Sequence, residues 1–167
     1  MPDSSKPNVA SSTKVWIGST VMTCLGLVFG ATVMIAGSFL RWRADAVLAL
    51  YNRSGWQFDN IIRGDGKMTF VMGALIAACL VAGLLAQNRA PFLAATAIAA
   101  ISGVLSVYEI IYIASRPGIT GPGRGLYMVL AGSGAAFLCS LGGYLMMTER
   151  RKEAAVVQAS APSREVA

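Results

Sequence analysis

The sequence predicts an all-α membrane protein: a bundle of four transmembrane helices with an extracytoplasmic loop between helices one and two. Three observations predict this fold class. Of the 167 residues, 55% are hydrophobic and only 13% are charged, a composition typical of membrane proteins rather than soluble domains. The apolar residues fall into four long runs. Segments containing Pro, Gly or charge, which interrupt helices, separate these runs.

Each of the four runs is long enough to be a membrane-spanning helix, which takes about 20 predominantly apolar residues to cross ~30 Å of hydrocarbon. Backbone polar groups have no water to pair with in lipid, so each run is expected to be helical. The predicted helices cover residues 15–40, 68–86, 92–115 and 126–147, within one membrane domain at 15–147.

The connections between the runs support the count of four. The segment "QNRAP" at 87–91 predicts a tight turn with Pro91 opening helix three, and "RPGITGPGRG" at 116–125 cannot be helical throughout. The first run is too long for the ~7–15-residue core of a signal peptide, so we expect a retained helix. Residues 1–14 and 148–167 are rich in Ser, Pro, Ala and charge, and we expect disordered tails there.

The distribution of Lys and Arg does not by itself fix the orientation. The side with both tails and the 87–91 turn carries seven of the 14 basic residues, and the side with the two other loops carries seven. The basic cluster at 150–152 directly follows helix four, as is common on the cytoplasmic side, and the longer loop is more often outside. We therefore expect a multi-pass plasma-membrane protein with both termini in the cytoplasm.

The net charge of +6 favours anionic lipid headgroups over nucleic acid as the counterpart, because the basic residues lie beside apolar segments or in loops. The three cysteines, Cys24, Cys79 and Cys139, fall in separate apolar runs without metal-ligand spacing. We expect no metal, no cofactor and no nucleic-acid partner.

The outer loop, residues 41–67, contains aromatic residues and turn glycines that would let it fold back onto the bundle. The "GDG" segment, Gly64, Asp65 and Gly66, favours a turn into helix two with Asp65 near its positive N-terminus. The alternative, a cation site, needs more oxygen ligands than the segment offers at EF-hand spacing.

Four short motifs resemble a type of small four-helix bacterial membrane protein that is common in actinobacteria. They are "GSFLRW", which ends in Trp42, "SGW", which ends in Trp56, "GDGKMTFVMG" and "GPGRGLYMVLAGSGAAF". Members often read "FLPW…GDG" and "GxGLYLxLxG" at these places, and Arg41 stands where many have Pro. The resemblance covers residues 30–145. It implies an integral plasma-membrane protein with the loop outside, and no activity.

Small residues at four-residue spacing mark predicted helix-packing surfaces. Helix one carries Gly26 and Gly30, and helix four carries Ala131, Ala135 and Gly143. Such stripes let helix backbones approach closely in lipid. Packing within the bundle is favoured, and a seam for another membrane protein or a second copy is the alternative.

Glu109 is a carboxylate within an otherwise apolar and small-residue stretch, six residues before the predicted end of helix three and so ~9 Å below it. A charge at that depth needs a partner or water. Arg116, two turns further along the same face, is a candidate partner, and Lys67, Arg63 and Arg124 on the same side are alternatives. The favoured interpretation is an ion pair that fixes helix register; the alternative is a proton- or substrate-binding carboxylate.

Two functions remain at the level of sequence. The favoured one is an accessory or scaffold subunit whose helices pack against other membrane proteins. The alternative is a small oligomeric transport or lipid- or ligand-binding protein that uses Glu109. An enzyme is not expected, because the chain has no His and neither a G-x-S-x-G nor a phosphate-binding G-x-x-x-x-G-K-[ST] motif.

Overall fold

The computed structural model describes residues 9–44, 56, 65–115 and 121–160. These residues form four helices and one short antiparallel strand pair. The elements in chain order are α1 (Val9–Phe39), β1 (Arg43–Ala44), α2 (Gly66–Ala86), α3 (Ala90–Ala114), β2 (Gly121–Pro122) and α4 (Arg124–Ser160).

The prediction of four apolar helices is confirmed. Each helix contains a segment long and apolar enough to cross a membrane, which indicates a multi-pass membrane protein. These segments are Thr20–Phe39, Gly66–Ala86, Ala90–Ala114 and Arg124–Glu153.

The four helices form a bundle in which α1 packs against α2 and α4, and α3 packs against the same two helices. The main core contains large side chains from α1 to α3, Leu27, Met34, Ile76 and Phe92, together with Ala136 of α4. We call the end at which α1 ends and α4 begins the loop end. The opposite end, where α2 ends at Ala86, is the tail end.

Glycines bring α1 and α4 into backbone contact. A Cβ on Gly30 would lie 2.8 Å from the Gly132 carbonyl oxygen, and a Cβ on Gly132 would lie 2.8 Å from the Gly30 carbonyl oxygen. Both distances are too short for a side chain. The Gly26–Gly30 stripe of α1 is therefore used inside the bundle at Gly30, as small-residue packing between apolar helices requires.

The loop end is closed by a backbone connection between the segment after α1 and the segment before α4. β1 pairs antiparallel with β2, with Arg43 opposite Pro122. The Gly123 amide donates to the Trp42 carbonyl oxygen at 2.7 Å, and the Gly125 amide donates to the Arg41 carbonyl oxygen at 2.9 Å. A side chain on Gly123 would collide with the Arg41 carbonyl, so this connection requires glycine there.

The outer helices extend further than the apolar runs predict. α1 begins at Val9 and α4 continues to Ser160, whereas disordered tails are predicted for 1–14 and 148–167. The physical reason at α4 is its composition. The segment "ERRKEAAVVQ" at 149–158 consists mostly of strong helix formers, which can continue an existing helix into water without an apolar face.

Candidate functional site

A cavity of about 160 Å³ opens at the loop end between the start of α2 and the last turns of α3. We call it the loop-end cavity. Its lining combines two carboxylates and two aliphatic hydroxyl groups with aromatic and aliphatic side chains, one of which, Tyr108, adds a phenolic hydroxyl. The lining residues are Trp42, Asp65, Met68, Thr69, Leu105, Ser106, Tyr108 and Glu109.

Glu109 is the most buried ionisable group that lines this cavity. Its side chain is only 8% exposed, and it lies five residues before Ala114, the last residue of α3, which corresponds to ~7.5 Å along the helix axis. It has a hydrogen-bonding or electrostatic partner in the structure. A buried carboxylate of this kind requires such stabilisation, since desolvation penalises its charged form.

Asp65 is the second carboxylate of the cavity and the N-cap residue of α2. Its side chain makes no capping hydrogen bond, although Asp at this position commonly caps the helix. Its carboxylate is therefore not used by the backbone of α2, and it lines the cavity half-buried. Two acidic groups from different helices thus meet at one opening.

Three hydrogen-bond donors that line the cavity are already used by backbone carbonyl groups. Thr69 Oγ1 donates to Gly66 O at 3.0 Å, and Ser106 Oγ donates to Ser102 O at 2.8 Å. Trp42 Nε1 donates to Gly37 O at 3.0 Å. The Thr69 and Ser106 hydroxyl groups therefore retain only acceptor lone pairs. Together with the carboxylates, they favour a ligand that is positively charged or rich in hydrogen-bond donors.

Two aromatic rings are part of the cavity lining. Trp42 is fully buried and belongs to a core cluster with Ile113 and Val129, whereas Tyr108 is half-exposed and stacks on Tyr112 with ring centroids 6.1 Å apart. The faces of such rings attract cations. The aromatic lining and the carboxylates therefore favour the same sign of ligand charge.

A separate aromatic cluster lies at the loop end of the bundle. Trp56 stacks on Phe39 with ring centroids 5.0 Å apart and contacts Phe70 edge-on. Its Nε1 donates to Ser38 Oγ at 3.4 Å. This cluster attaches Trp56 to the end of α1 and the start of α2, so residues of all four sequence motifs lie at the loop end.

The structure brings three of the sequence-predicted residues together in the loop-end cavity: Trp42, Asp65 and Glu109. Gly66 is buried at the start of α2. Lys67, a predicted partner of Glu109, is exposed and does not line the cavity. Two further predicted residues, Gly64 and Arg116, lie outside the described residues.

The predicted packing residues occupy different environments. Gly143 is buried against Phe92 of α3, and a Cβ there would lie 2.8 Å from the Phe92 ring. Ala131 is exposed and Ala135 is half-buried, whereas the adjacent Gly132 and Ala136 contact α1. The surface that α4 presents to α1 is thus rotated by about one residue from the predicted stripe.

Sequence reasoning missed the two aliphatic hydroxyl residues of the cavity, although a signal for each was present. Thr69 lies four residues after Asp65, and Ser106 lies three residues before Glu109. Residues at these spacings share one face of a helix. A hydroxyl residue one helical turn from a carboxylate therefore predicts that the two side chains line the same site.

Buried hydroxyl groups continue below the cavity. Ser102, one turn below Ser106 on α3, is fully buried and its Oγ has no hydrogen-bond partner. Further along, Thr96 Oγ1 donates to Ser140 Oγ at 2.9 Å between α3 and α4. Among the described residues, no group of three or more His, Cys, Asp or Glu side chains could hold a metal ion.

No family model, curated protein sequence or solved structure matches this chain. The functional assignment consequently depends on the geometry of the bundle and on the chemistry of its cavities.

Proposed function

We propose that this protein binds a small organic cation in the loop-end cavity. The observation that carries the proposal is the placement of Glu109, 8% exposed, in a cavity that also holds the Asp65 carboxylate. The hydroxyl groups beside them offer acceptors, because their hydrogens are directed to backbone carbonyls. The described residues of the lining include two acids and no Lys or Arg, so the lining favours a cation over a neutral or anionic ligand.

The size of the cavity restricts the ligand. At ~30 Å³ of liquid volume per water molecule, 160 Å³ holds about five waters. This volume suits a cation with about that many non-hydrogen atoms, such as a small methylated ammonium. The rings of Trp42 and Tyr108 would contact its methyl groups by cation–π interaction, and Met68 and Leu105 would cover its apolar surface.

We propose a plasma-membrane location with both termini in the cytoplasm, which places the loop-end cavity on the extracytoplasmic side. The basic cluster Arg150–Lys152 at the tail end supports this orientation, since positive charge is enriched at cytoplasmic helix ends. Glu109 would then lie within one and a half turns of the outer surface, where a ligand can reach it from water.

Calorimetry and tryptophan fluorescence of the full chain in detergent micelles would test the proposal. Tetramethylammonium is the probe, and tert-butanol is its neutral counterpart with the same number of non-hydrogen atoms. Binding of tetramethylammonium should change the emission of the cavity Trp42, and tert-butanol at the same concentration should not. Glu109→Gln should weaken binding at least tenfold, which corresponds to about 1.4 kcal/mol.

Glu149→Gln is the matched control, because it removes an exposed carboxylate at the tail end, where Glu149 pairs with Lys152 at 2.8 Å. It should bind tetramethylammonium as wild type does. Equal affinity for the two probes, or equal weakening by the two substitutions, would rule out a cation site. A large loss of thermal stability in Glu109→Gln without any wild-type binding would support the structural ion pair instead.

A second function, an accessory subunit that packs against other membrane proteins, is favoured by an apolar groove between α3 and α4. The groove has a volume of about 430 Å³. A Cβ on Gly134, which lines it, would meet nothing within 4 Å, so Gly134 is not needed for packing inside the bundle. Open small residues on an apolar helix face suit close approach of another helix.

Mass spectrometry of protein purified in mild detergent from its own membranes would test this second function. A stoichiometric partner should co-purify with wild type and be lost from Gly134→Leu, which fills the groove. Gly142→Leu is the control, because Gly142 also has open space around it but does not line the groove. Retention of the partner by Gly134→Leu would exclude this groove as the contact.

A further inference from the structure

A second cavity, of about 360 Å³, opens at the tail end of the bundle. It lies between α1, the last turn of α2 and the part of α4 beyond its apolar run. Its lining is Thr20, Leu84, Gln87, Met147, Arg150 and Arg151. We call it the tail-end cavity.

The charge at this cavity is positive. Two consecutive guanidinium groups, Arg150 and Arg151, line it. Arg150 Nη2 donates to Thr20 Oγ1 at 3.4 Å, which directs this side chain from α4 across to α1. The neighbouring acid, Glu149, forms an ion pair with Lys152 at 2.8 Å, so a lysine that does not line the cavity balances its charge.

Gln87 adds an amide group at the end of α2. Its backbone is left-handed, with φ 47° and ψ 37°, and this conformation ends the helix and places Gln87 in the cavity lining. The carboxyl end of a helix carries partial negative charge, which opposes an anion. The attraction for an anion must therefore come from the two guanidinium groups, with the Gln87 amide as an additional donor.

The cavity is apolar on the side nearer the middle of the bundle. Leu84 and Met147 line it there, and Leu84 is 44% exposed. A site with cations at the helix ends and aliphatic side chains immediately below them matches a molecule with an anionic group joined to a hydrocarbon chain. Its volume equals that of about twelve water molecules at ~30 Å³ each, more than a single phosphate ion fills.

We propose that an anionic phospholipid binds in the tail-end cavity. Its phosphate contacts Arg150 and Arg151, whose planar guanidinium groups suit paired hydrogen bonds to phosphate oxygens. Its acyl chain lies against Leu84 and Met147. This site is at the opposite end of the bundle from the loop-end cavity, and it holds whether or not that cavity binds a cation.

Native mass spectrometry of the full chain would test the lipid site, in micelles containing equal amounts of phosphatidylglycerol and phosphatidylcholine. Wild type should retain phosphatidylglycerol at least fivefold over phosphatidylcholine. Arg150→Gln with Arg151→Gln should abolish this preference. Arg151→Gln alone should weaken the preference. Arg89→Gln is its matched control, because it also removes one positive charge from the tail end without changing the lining of the cavity, and it should keep the preference.

Two results would overturn the proposal. One is equal retention of the two lipids by wild type, or equal loss of the preference in Arg151→Gln and Arg89→Gln, which indicates general charge attraction. The other is displacement of phosphatidylglycerol by inorganic phosphate at comparable concentration, which indicates a site for the free anion. If the arginine variant does not fold, photoreactive phosphatidylglycerol can be cross-linked to wild type. Labelling should then map to residues near Leu84 and Met147, and labelling elsewhere alone would contradict the site.

Discussion

Gly37 and Gly125 bring the end of α1 and the start of α4 into reciprocal backbone contact. A Cβ on Gly125 would lie 2.6 Å from the Gly37 carbonyl oxygen, and a Cβ on Gly37 would lie 2.8 Å from the Gly125 carbonyl oxygen. The same Gly37 carbonyl accepts the hydrogen bond from Trp42 Nε1. One close approach therefore fixes both the crossing of α1 with α4 and the position of a ring that lines the loop-end cavity.

Gly125→Ala should destabilise the bundle by about 1–3 kcal/mol, the usual cost of overpacking a tight contact. The cost arises because backbone atoms, which cannot move aside as a side chain can, surround the added methyl group. Thermal unfolding in detergent would measure it. Gly134→Ala is the control on the same helix: nothing lies within 4 Å of its Cβ position, so the better helix propensity of Ala should leave stability unchanged or raised. Equal losses would contradict the close approach.

Gly30→Ala should cost more stability than Gly26→Ala, although the two residues form one G-x-x-x-G motif. A methyl group on Gly30 would meet the Ala136 amide nitrogen and the Gly132 carbonyl oxygen, each at 2.8 Å. A methyl group on Gly26 would instead meet the Cys139 thiol, which can rotate about its Cα–Cβ bond. Chemical denaturation of the two variants side by side would measure the difference, and a larger loss for Gly26→Ala would refute the assignment.

Ser102→Ala should leave stability unchanged or raise it by up to about 1 kcal/mol, because it removes a buried hydroxyl without a hydrogen-bond partner. Ser140→Ala should instead lower stability by about 0.6 kcal/mol, a typical value for a hydrogen bond between apolar helices. It removes the 2.9 Å bond between Thr96 Oγ1 and Ser140 Oγ and leaves Thr96 with the bond to Phe92 O of its own helix. Thermal unfolding of both variants measures the contrast. A destabilised Ser102→Ala would indicate that its hydroxyl has a partner, such as a buried water.

Trp42→Phe should lower stability by about 1 kcal/mol through loss of the 3.0 Å hydrogen bond to Gly37 O. Trp56→Phe is a matched aromatic control at the same end of the bundle. Its Nε1 contact to Ser38 Oγ is longer, at 3.4 Å, and the stacking on Phe39 survives the change. The loss in Trp56→Phe should therefore be smaller, and the reverse order would contradict the role given to the buried indole.

The apolar helices were predictable because a long uncharged run has few alternatives to a helix in lipid. Predicted and observed starts of the middle helices differ by little: 68 against Gly66 for α2, and 92 against Ala90 for α3. The far ends of α1 and α4 were not predictable from hydropathy, since the residues there are polar. Their helicity follows from propensity and from continuity with an existing helix.

The face of α4 that packs on α1 could not be predicted from the sequence. Its sequence offers two adjacent small-residue stripes, one with Ala131 and Ala135 and one with Gly132 and Ala136. In a helix of 3.6 residues per turn, residues four apart point in slightly different directions around the axis. The four-residue spacing therefore does not by itself select the stripe that packs on α1. The backbone contacts of Gly132 with Gly30 select it in the structure.

The candidate site was predictable only in part. Glu109 stands out in the sequence as a charge in an apolar run, and Asp65 stands out in a turn motif. Their convergence depends on the contact between α2 and α3 near the loop end, and on the fold of the segment that buries Trp42. Neither could be predicted, because the lengths of the connections do not determine which helices and segments pack together.

The length of α4 has a mechanical consequence. Its 37 residues span ~55 Å at 1.5 Å per residue, whereas the hydrocarbon core of a bilayer is ~30 Å thick. In the proposed orientation, the same rigid rod that begins beside Trp42 continues beyond the lipid headgroups into the cytoplasm. If α4 tilts at the outer surface, its cytoplasmic end therefore moves sideways by a larger distance than the end of a helix that only spans the bilayer would.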